Sequence, residues 1–477
     1  MMERFNFPSP PPPMGRTENN SATYISSGNP CLDFFFQVVP DTPSRTLTSL
    51  LESAWSCDPL KSLKLVCHLR GVRGTGKSDK EGFYSAAIWI HNYHPKTLAL
   101  NIAPIVGFGY MKDLPEILHR ILNGERIRNL HRERRRSVRS RRFGRFRSSK
   151  AINRAPKTKR SGDSVVKTVE AAATTRREKR ASAAKKAIER YERDPDYRFL
   201  YDLVCDFFAA SLAADMERLK SGKLYEIGDR HAAGALLPHE ILAEAHSEVA
   251  ELQWRRMVSD LQEKGKLKNC IAVCDVSGSM SGTPMDVCVA LGMLVAELSE
   301  EPWKGKVITF SAAPQLHLIE GETLAEKTSF VREMNWGMNT DLQAVFDRIL
   351  EVAVEGGLEA EKMIKRMFVF SDMEFDQASA RLWETDYMVI RRKFEEKGYG
   401  SVVPDIVFWN LRDSRSTPVR SMDKGVALVS GFSKNLLKLF LEGDGVIDPE
   451  IIMEAAIAGE EYSKLVVFDL EFFSSEN

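Results

Sequence analysis

The chain has 477 residues, of which 43% are hydrophobic and 28% charged, and its formal net charge is +1. This length accommodates two or three domains, each with a full core. No run of 18 apolar residues occurs, and the N-terminus lacks an apolar segment behind a basic start. The composition therefore argues against a membrane-spanning or secreted protein. We expect an intracellular protein of the cytoplasm, the nucleus or both.

Seven cysteines lie at scattered positions, mostly within apolar runs. An odd count without paired spacing indicates free thiols in a reducing compartment, not a disulfide framework. Cys270 and Cys274 fall on one predicted buried strand with no second pair nearby, which disfavours a zinc site there.

The N-terminal half is predicted to be helical after a short tail. Residues 1–30 are rich in Pro, Ser and Asn, and we predict that they are disordered. Residues 31–122 show apolar side chains at helical spacing, which predicts the first part of a solenoid-like helical domain. Residues 186–266 are the predicted second part. The predicted helices of this second part are Ala181–Arg193, Tyr197–Leu219, one that starts near Pro238, and Val249–Lys264.

The segment GVRGTGKS at 71–78 matches the spacing of a phosphate-binding loop. In such a loop Lys77 would contact the terminal phosphates and Ser78 a Mg²⁺ ion, and a nucleotide-binding protein is therefore one alternative function. The required context is a buried strand before the loop. The apolar residues of 58–70 have helical spacing instead, and SDKE at 78–81 resembles a capping box. These features favour a helix, a basic turn and a second helix.

Residues 123–185 are predicted to form a basic, disordered insert. Residues 131–190 hold 22 Lys or Arg against five Asp or Glu, so the rest of the chain is net acidic. Dense arginine with interleaved phenylalanine suits phosphate contacts and base stacking. The candidate nucleic-acid-binding residues are Arg134, Arg135, Arg136, Arg141, Arg142, Phe143, Arg145, Phe146 and Arg147. A nuclear import signal and a solvated insert that offsets the acidic remainder are the other interpretations.

From Lys268 onward, short apolar runs alternate with amphipathic helices. This alternation predicts a parallel sheet covered on both faces, which binds ligands at the carboxyl ends of its strands. The predicted strands are NCIAVCD, KVITFS, MFVFSD, PDIVFWNL, GVALVSGF and KLVVFDL. The predicted helices are Met285–Leu298, Asp341–Val354, Asp386–Glu396 and Lys434–Leu441. We therefore expect an α + α/β protein, with the sheet domain at residues 267–477.

Oxygen-bearing side chains follow the predicted strand ends. Asp275, Ser277 and Ser279 come after the first strand, Thr340 precedes a helix, and Asp372 ends another strand. Hydroxyl and carboxylate oxygens are the ligands that Mg²⁺ prefers. The spacing resembles the metal-ion-dependent adhesion site of the von Willebrand factor A family. That resemblance implies that the three hydroxyls bind the metal directly or through water, and that the two carboxylates hold its waters.

This predicted site favours binding over catalysis. A divalent cation held mainly by neutral hydroxyls keeps its charge and an open coordination position, so it attracts a Glu or Asp carboxylate of a protein partner. Hydrolysis would need a base or nucleophile beside the metal, and no His lies in the three loops. We therefore expect a non-enzymatic binding or scaffold protein with Mg²⁺ or another divalent cation. The alternative is that the site serves only to order the three loops.

Longer stretches of the chain resemble a plant family that combines a domain of unknown function with a C-terminal von Willebrand factor A-like domain. The stretches that carry this resemblance include NPCLDFFF, RGVRGTGKSDKEGF, GALLPHEI, ELQWRRMV, CDVSGSMSGTPM, EEPWKGKVITFS, FVFSDMEFDQA, VFWNLRDSR and LVSGFSKNLLKLF.

The family layout is similar to that of the Ro autoantigen, in which a ring of helical repeats binds RNA. This likeness implies a place in an RNA–protein particle, or RNA binding through the helical domain and the Arg-rich segment with a purely structural metal site. Between residues 224 and 234 the family has a longer helical region, which implies an incomplete helical domain or an altered RNA surface in this chain.

Overall fold

The computed structural model describes most of the chain outside the Arg-rich segment. The described residues are 12–72, 74, 76–124, 180–220, 236–275, 277–301, 303–310, 313–334, 341–357, 363–376, 385–441 and 447–468. Most of the predicted disordered insert, all nine candidate nucleic-acid-binding residues, and Thr340 lie outside these ranges. The predictions made for them stay predictions.

The chain folds into two compact units. Residues 1–86, 107–109 and 223–467 form the first, called the sheet unit below. Residues 87–106, 110–222 and 468–477 form the second, the helical unit. This division differs from the predicted boundary at residue 267, because the first 86 residues belong with the sheet.

Sixteen helical segments are described. Their bounds are α1 Pro30–Gln37, α2 Ser44–Cys57, α3 Pro59–Arg70, α4 Lys80–Tyr93, α5 Pro95–Leu100, α6 Ile102–Phe108, α7 Asp113–Asn123, α8 at 180–193, α9 Pro195–Lys220, α10 Pro238–Leu242, α11 Glu248–Gln262, α12 Thr283–Leu298, α13 Leu324–Glu333, α14 Leu342–Gly356, α15 Asp386–Glu396 and α16 Pro449–Ala456. The 3₁₀ turns are Gly278–Met280, Gly400–Val402, Lys434–Phe440 and Glu460–Lys464.

Helix α1 is buried on every side. It starts where the Asn29 side chain accepts hydrogen bonds from the main-chain nitrogens of Cys31 and Leu32, with Pro30 at its first position. Every side chain from Cys31 to Gln37 is buried, against α2, α3, α16 and a strand of the sheet. Because no face of α1 meets solvent, it is a core element of the sheet unit.

In the helical unit, α9 packs against α5 and α7. Tyr197 and Leu200 of α9 are 1% and 3% exposed, whereas Leu212 near its other end is 65% exposed. The buried contacts of α9 within this unit are therefore concentrated in its N-terminal part.

The main sheet has six strands: β3 Cys270–Cys274, β4 Lys306–Thr309, β5 Leu316–Leu318, β6 Arg366–Ser371, β7 Asp405–Asn410 and β8 Val426–Ser430. Their order is β5-β4-β3-β6-β7-β8, and all neighbouring pairs are parallel except β5 with β4. Strands β3, β6 and β8 are buried along their whole length because helices cover them, including α12 on β3 and β6 and α16 on β8. This confirms a mostly parallel sheet with helices.

Two sequence predictions are wrong, and one strand was not predicted. The predicted last strand, KLVVFDL, has no regular structure over its described residues 465–468. The edge strand β5 was not predicted, because it has only three residues and the two leucines among them are exposed. Within the tail predicted to be disordered, β1 Met14–Arg16 and β2 Ala22–Tyr24 form an antiparallel hairpin.

Within the described ranges, no helix combines the length and the apolar character that a bilayer crossing demands.

Candidate metal centre

The pairing of β3 with β6 brings two acidic residues side by side. Asp275 follows the last residue of β3, and Asp372 follows the last residue of β6. The strands are parallel, with Cys274 opposite Phe370, and the main-chain nitrogen of Asp275 donates to the Phe370 oxygen at 3.0 Å. Both carboxylates therefore lie at the carboxyl edge of the sheet, as predicted, and both are buried.

Asp275 is fixed by short polar contacts. Its Oδ1 accepts a hydrogen bond from the Ser277 main-chain nitrogen at 2.9 Å, and its Oδ2 accepts one from Ser371 Oγ at 2.6 Å. Burial, and secondarily the negative charge of Asp372, raise the pKa of Asp275 to about 6. Two neighbouring buried carboxylates thus create a local excess of negative charge, which a cation would relieve.

Two hydroxyls complete the described part of the site. Ser277 Oγ and Ser279 Oγ are 2.9 Å apart, on the turn that includes Gly278–Met280. Ser277 is buried and Ser279 half-buried, so the pair lies where the site meets solvent. The exposed Arg412, which follows β7, donates from Nη1 to the main-chain oxygen of Ser279. A permanent positive charge therefore lies at the rim of the site.

Four of the five predicted metal residues can be placed. Asp275, Ser277 and Ser279 are linked by hydrogen bonds or hydroxyl contact, and the charge of Asp372 acts on Asp275. Thr340 lies outside the described residues. Its neighbour Asp341 accepts a hydrogen bond from the Ala344 main-chain nitrogen at 2.9 Å, which caps the start of α14.

The donor set suits a hard cation. Carboxylate and hydroxyl oxygens are what Mg²⁺ takes from proteins, together with waters. In the described part of the chain, no group of three or more His, Cys, Asp or Glu side chains is placed to hold a metal. The candidate site differs from such a cluster because it combines two carboxylates with hydroxyl groups. The residues present fit Mg²⁺ better than zinc.

Two polar residues at this edge were missed by the sequence reasoning. Ser371 donates to Asp275 and accepts a hydrogen bond from the Met373 main-chain nitrogen at 3.1 Å. Glu374 donates its main-chain N–H to Asp372 Oδ1 at 3.1 Å. Ser371 could have been found from its place beside Asp372 at a strand end. Glu374 could not have been found in the same way, because its carboxylate contacts segments that are distant in sequence.

The loop that resembles a phosphate-binding sequence has a different structure. Helix α3 precedes it and α4 follows it, as the helical spacing predicted. Lys77 is 1% exposed, and its Nζ donates to the Phe35 oxygen, the Val38 oxygen at 2.8 Å and Ser430 Oγ at 2.7 Å. Ser78 Oγ donates to the Gly71 oxygen at 3.4 Å. The lysine is thus engaged by protein oxygens within the core.

A groove of about 840 Å³ lies away from the predicted metal residues. Its lining includes Ile308 of β4, Leu316 of β5 and Val345 of α14, with Trp303 and Met363. The lining also includes Asp347, Arg348 and Glu351, and none of the four described site residues contributes to it.

Comparisons with known proteins divide the chain in two. Residues 269–466 match a family model described as domain of unknown function DUF7788, and residues 17–228 match another, DUF2828. The chain is also similar to a protein of Acanthamoeba polyphaga mimivirus, described as uncharacterized protein L728, with 39% identity over 214 residues. That similarity covers 43% of this chain and only 37% of the viral protein.

The first family match contains the whole main sheet and all five predicted metal residues, and the second contains most of the hairpin and α1 to α9. The comparisons confirm a layout built from domains of unknown function. The plant source and the von Willebrand factor A-like identity stay predictions.

Proposed function

We propose that residues 267–477 form a von Willebrand factor A-like domain whose sheet edge binds a divalent cation, with Mg²⁺ as the first candidate. Through this cation the protein would engage a Glu or Asp carboxylate of a protein partner. The observation that supports the proposal is the convergence at one sheet edge of Asp275, the Ser277–Ser279 hydroxyl pair and Asp372.

The expected role of each side chain follows from its chemistry. Ser277, Ser279 and Thr340 would hold the cation, and Asp275 and Asp372 would hold its waters. A cation with neutral hydroxyl ligands keeps an affinity for one more anionic oxygen. Asp275 is itself oriented by the Ser277 N–H and by Ser371 Oγ. Because these carboxylates are engaged in holding the site, the arrangement favours a binding module over a hydrolase.

Cation binding is tested on the full chain with one substitution and one control. We expect calorimetry to detect Mg²⁺ or Mn²⁺ binding to the wild type, and Asp275→Asn to weaken it by about 10–100-fold. The asparagine keeps the size of the side chain and one acceptor oxygen for the Ser277 N–H, but removes the charge and the second acceptor that Ser371 Oγ uses. Glu320→Gln, on an exposed side chain after β5, should bind like the wild type. Equal affinities for all three proteins would exclude a site at Asp275.

The open coordination position is tested with a small carboxylate probe. Mn²⁺ bound to the wild type should enhance the relaxation of water protons. N-acetylglutamate amide should reduce this enhancement, because its carboxylate displaces a metal-bound water. N-acetylglutamine amide is the matched neutral control. If neither compound changes the water-proton relaxation that the bound Mn²⁺ causes, the site has a structural role only.

A further inference from the structure

The N-terminal hairpin forms hydrogen bonds with the loop that begins with Asp372. This hairpin consists of β1, β2 and the tip residues Thr17–Ser21. At the tip, Thr17 Oγ1 donates to the Phe375 oxygen at 2.7 Å, and Asn19 Nδ2 donates to the Glu374 oxygen at 2.7 Å. Asn20 forms an antiparallel bridge with Asp376. A segment some 355 residues away in sequence thus supplies hydrogen bonds to the candidate metal loop.

Glu374 joins three segments at this edge through its carboxylate. Its Oε2 accepts the Glu18 main-chain N–H at 2.5 Å. Its Oε1 accepts from Ser414 Oγ and, at 2.9 Å, from Ser416 Oγ, both on the loop after β7. Its own N–H donates to Asp372 Oδ1 at 3.1 Å. One residue therefore connects the hairpin and the loop after β7 to a candidate metal carboxylate.

The hairpin is also held further along the same edge. Tyr24 and Thr417 exchange main-chain hydrogen bonds at 3.0 and 2.9 Å. Ser21 Oγ donates to Asp386 Oδ2, at the start of α15, at 3.1 Å. These contacts place the hairpin along the strand-end loops as a whole, so that loss of one contact at the tip would loosen the hairpin locally and leave it attached.

We propose that Glu374 is a positioning residue of the cation site, and that docking of the hairpin tip and binding of the cation are coupled. The inference rests on the proposed function. With the tip docked, the main chain from Asp372 to Asp376 is fixed before a cation arrives. With the tip released, cation binding must also order this loop, which costs conformational entropy and lowers the affinity. Because coupling is reciprocal, the cation also strengthens docking of the tip.

Three substitutions separate this coupling from a general loss of stability. Glu374→Ala removes the carboxylate that accepts from Glu18, Ser414 and Ser416. Thr17→Val removes a hydroxyl that touches Phe375 and the Ser21 nitrogen, and leaves residues 372–374 unchanged. Glu18→Ala is the matched control, because its contact to Glu374 uses only the main-chain N–H.

Calorimetry with Mg²⁺ or Mn²⁺ on the full chain gives the first readout. We expect Glu374→Ala and Thr17→Val each to weaken binding roughly fivefold or more, and Glu18→Ala to bind like the wild type. Hydrogen exchange gives the second readout. The amides of residues 14–24 should exchange faster in Glu374→Ala, and Mg²⁺ should slow their exchange in the wild type.

The outcomes distinguish the two proposals. If the wild type binds the cation and both test variants bind it equally well, the coupling is refuted while the proposed function stands. If Mg²⁺ binds without slowing exchange in residues 14–24, the coupling is likewise refuted. If the wild type binds no divalent cation, the proposed function fails and the coupling fails with it.

Discussion

Lys77 acts as a cap for the C-terminal end of α1. The last carbonyls of a helix have no partner within it and carry a partial negative charge, which a cation stabilises. The Lys77 ammonium donates hydrogen bonds to the Phe35 and Val38 oxygens at this end. It also donates to Oγ of Ser430, which is the last residue of β8. Gly431, with φ +102°, leaves room for the lysine methylenes. One side chain thus joins a helix end to a strand end.

The buried position of Lys77 predicts a pH dependence. Burial lowers the pKa of Lys77 from 10.5 to about 7. Between these values the unfolded chain binds a proton that the folded chain lacks, so this group makes the free energy of unfolding rise with pH. Denaturant titrations at pH 7 and pH 9 should therefore show a wild-type increase that is smaller in Lys77→Met. Lys438, whose pKa burial lowers to about 8, accounts for part of the rise that remains. Lys80→Met, on an exposed side chain of the same segment, should keep the increase. A wild-type slope retained by Lys77→Met would contradict the expectation.

The same residue shows a limit of sequence reasoning. The residues around Lys77 satisfy a phosphate-loop pattern, and only the helical signals on either side of the loop argued against it. The structure explains why residue 76 is a glycine. A Cβ at Gly76 would lie 2.0 Å from the His68 oxygen. The glycine permits a close return of the loop onto the end of α3, a contact that no local pattern reveals.

At the scale of elements, one glycine allows α12 to lie close to the sheet. Gly292 lies in the middle of this buried helix, and a Cβ at this position would be 2.3 Å from Cys274 Sγ on β3. The close approach holds α12 against the strand whose end bears Asp275.

Gly292→Ala is therefore expected to destabilise the protein, by about 1–3 kcal/mol, because the added methyl overpacks the interface between helix and strand. Gly107→Ala is the matched control: this glycine is helical, and a Cβ there meets nothing within 4 Å. The control should be neutral or stabilise by up to about 1 kcal/mol, from a smaller loss of backbone entropy. Urea denaturation measures both, and a Gly292→Ala protein as stable as Gly107→Ala would refute the packing argument.

Elements with strong periodicity were predicted well, and those defined by distant partners were not. The helix Asp386–Glu396 was predicted with its observed bounds, β3 falls within its predicted apolar run, and β6 begins one residue before its run. The hairpin at residues 14–24 was missed, because its composition resembles a tail and its partners lie beyond residue 370. Strand β5 was missed because it spans only three residues, Leu316–Leu318, which are too few for a period-2 pattern to predict a strand.

At the scale of the molecule, the sheet unit depends on both ends of the chain. Helix α1 packs on β8, and its Leu32, Phe34 and Phe36 are fully buried. The packing of α1 on the sheet could not be predicted, since a helical segment followed by a βα alternation predicts two successive domains. The strand-end positions of Asp275 and Asp372 were nonetheless predictable, because they depend only on local sequence and parallel pairing.

The packing of α1 on the sheet predicts that residues 267–477 are unstable alone. Without α1, strand β8 loses an apolar cover and Ser430 loses its partners Lys77, Phe35 and Val38. We expect this fragment to melt at a lower temperature than the full chain and to bind a hydrophobic dye. Equal melting temperatures for the fragment and the full chain would show that the N-terminal residues are dispensable for the sheet.

The contact between Phe35 and Ser430 also has a consequence for protein synthesis. These residues are 395 positions apart, so at ordinary translation speeds about 20–80 s pass between their emergence from the ribosome. During that interval the phenylalanines of α1 have been made while the strand that covers them has not. A nascent chain of this kind is a natural client for chaperones that shield apolar segments until translation ends.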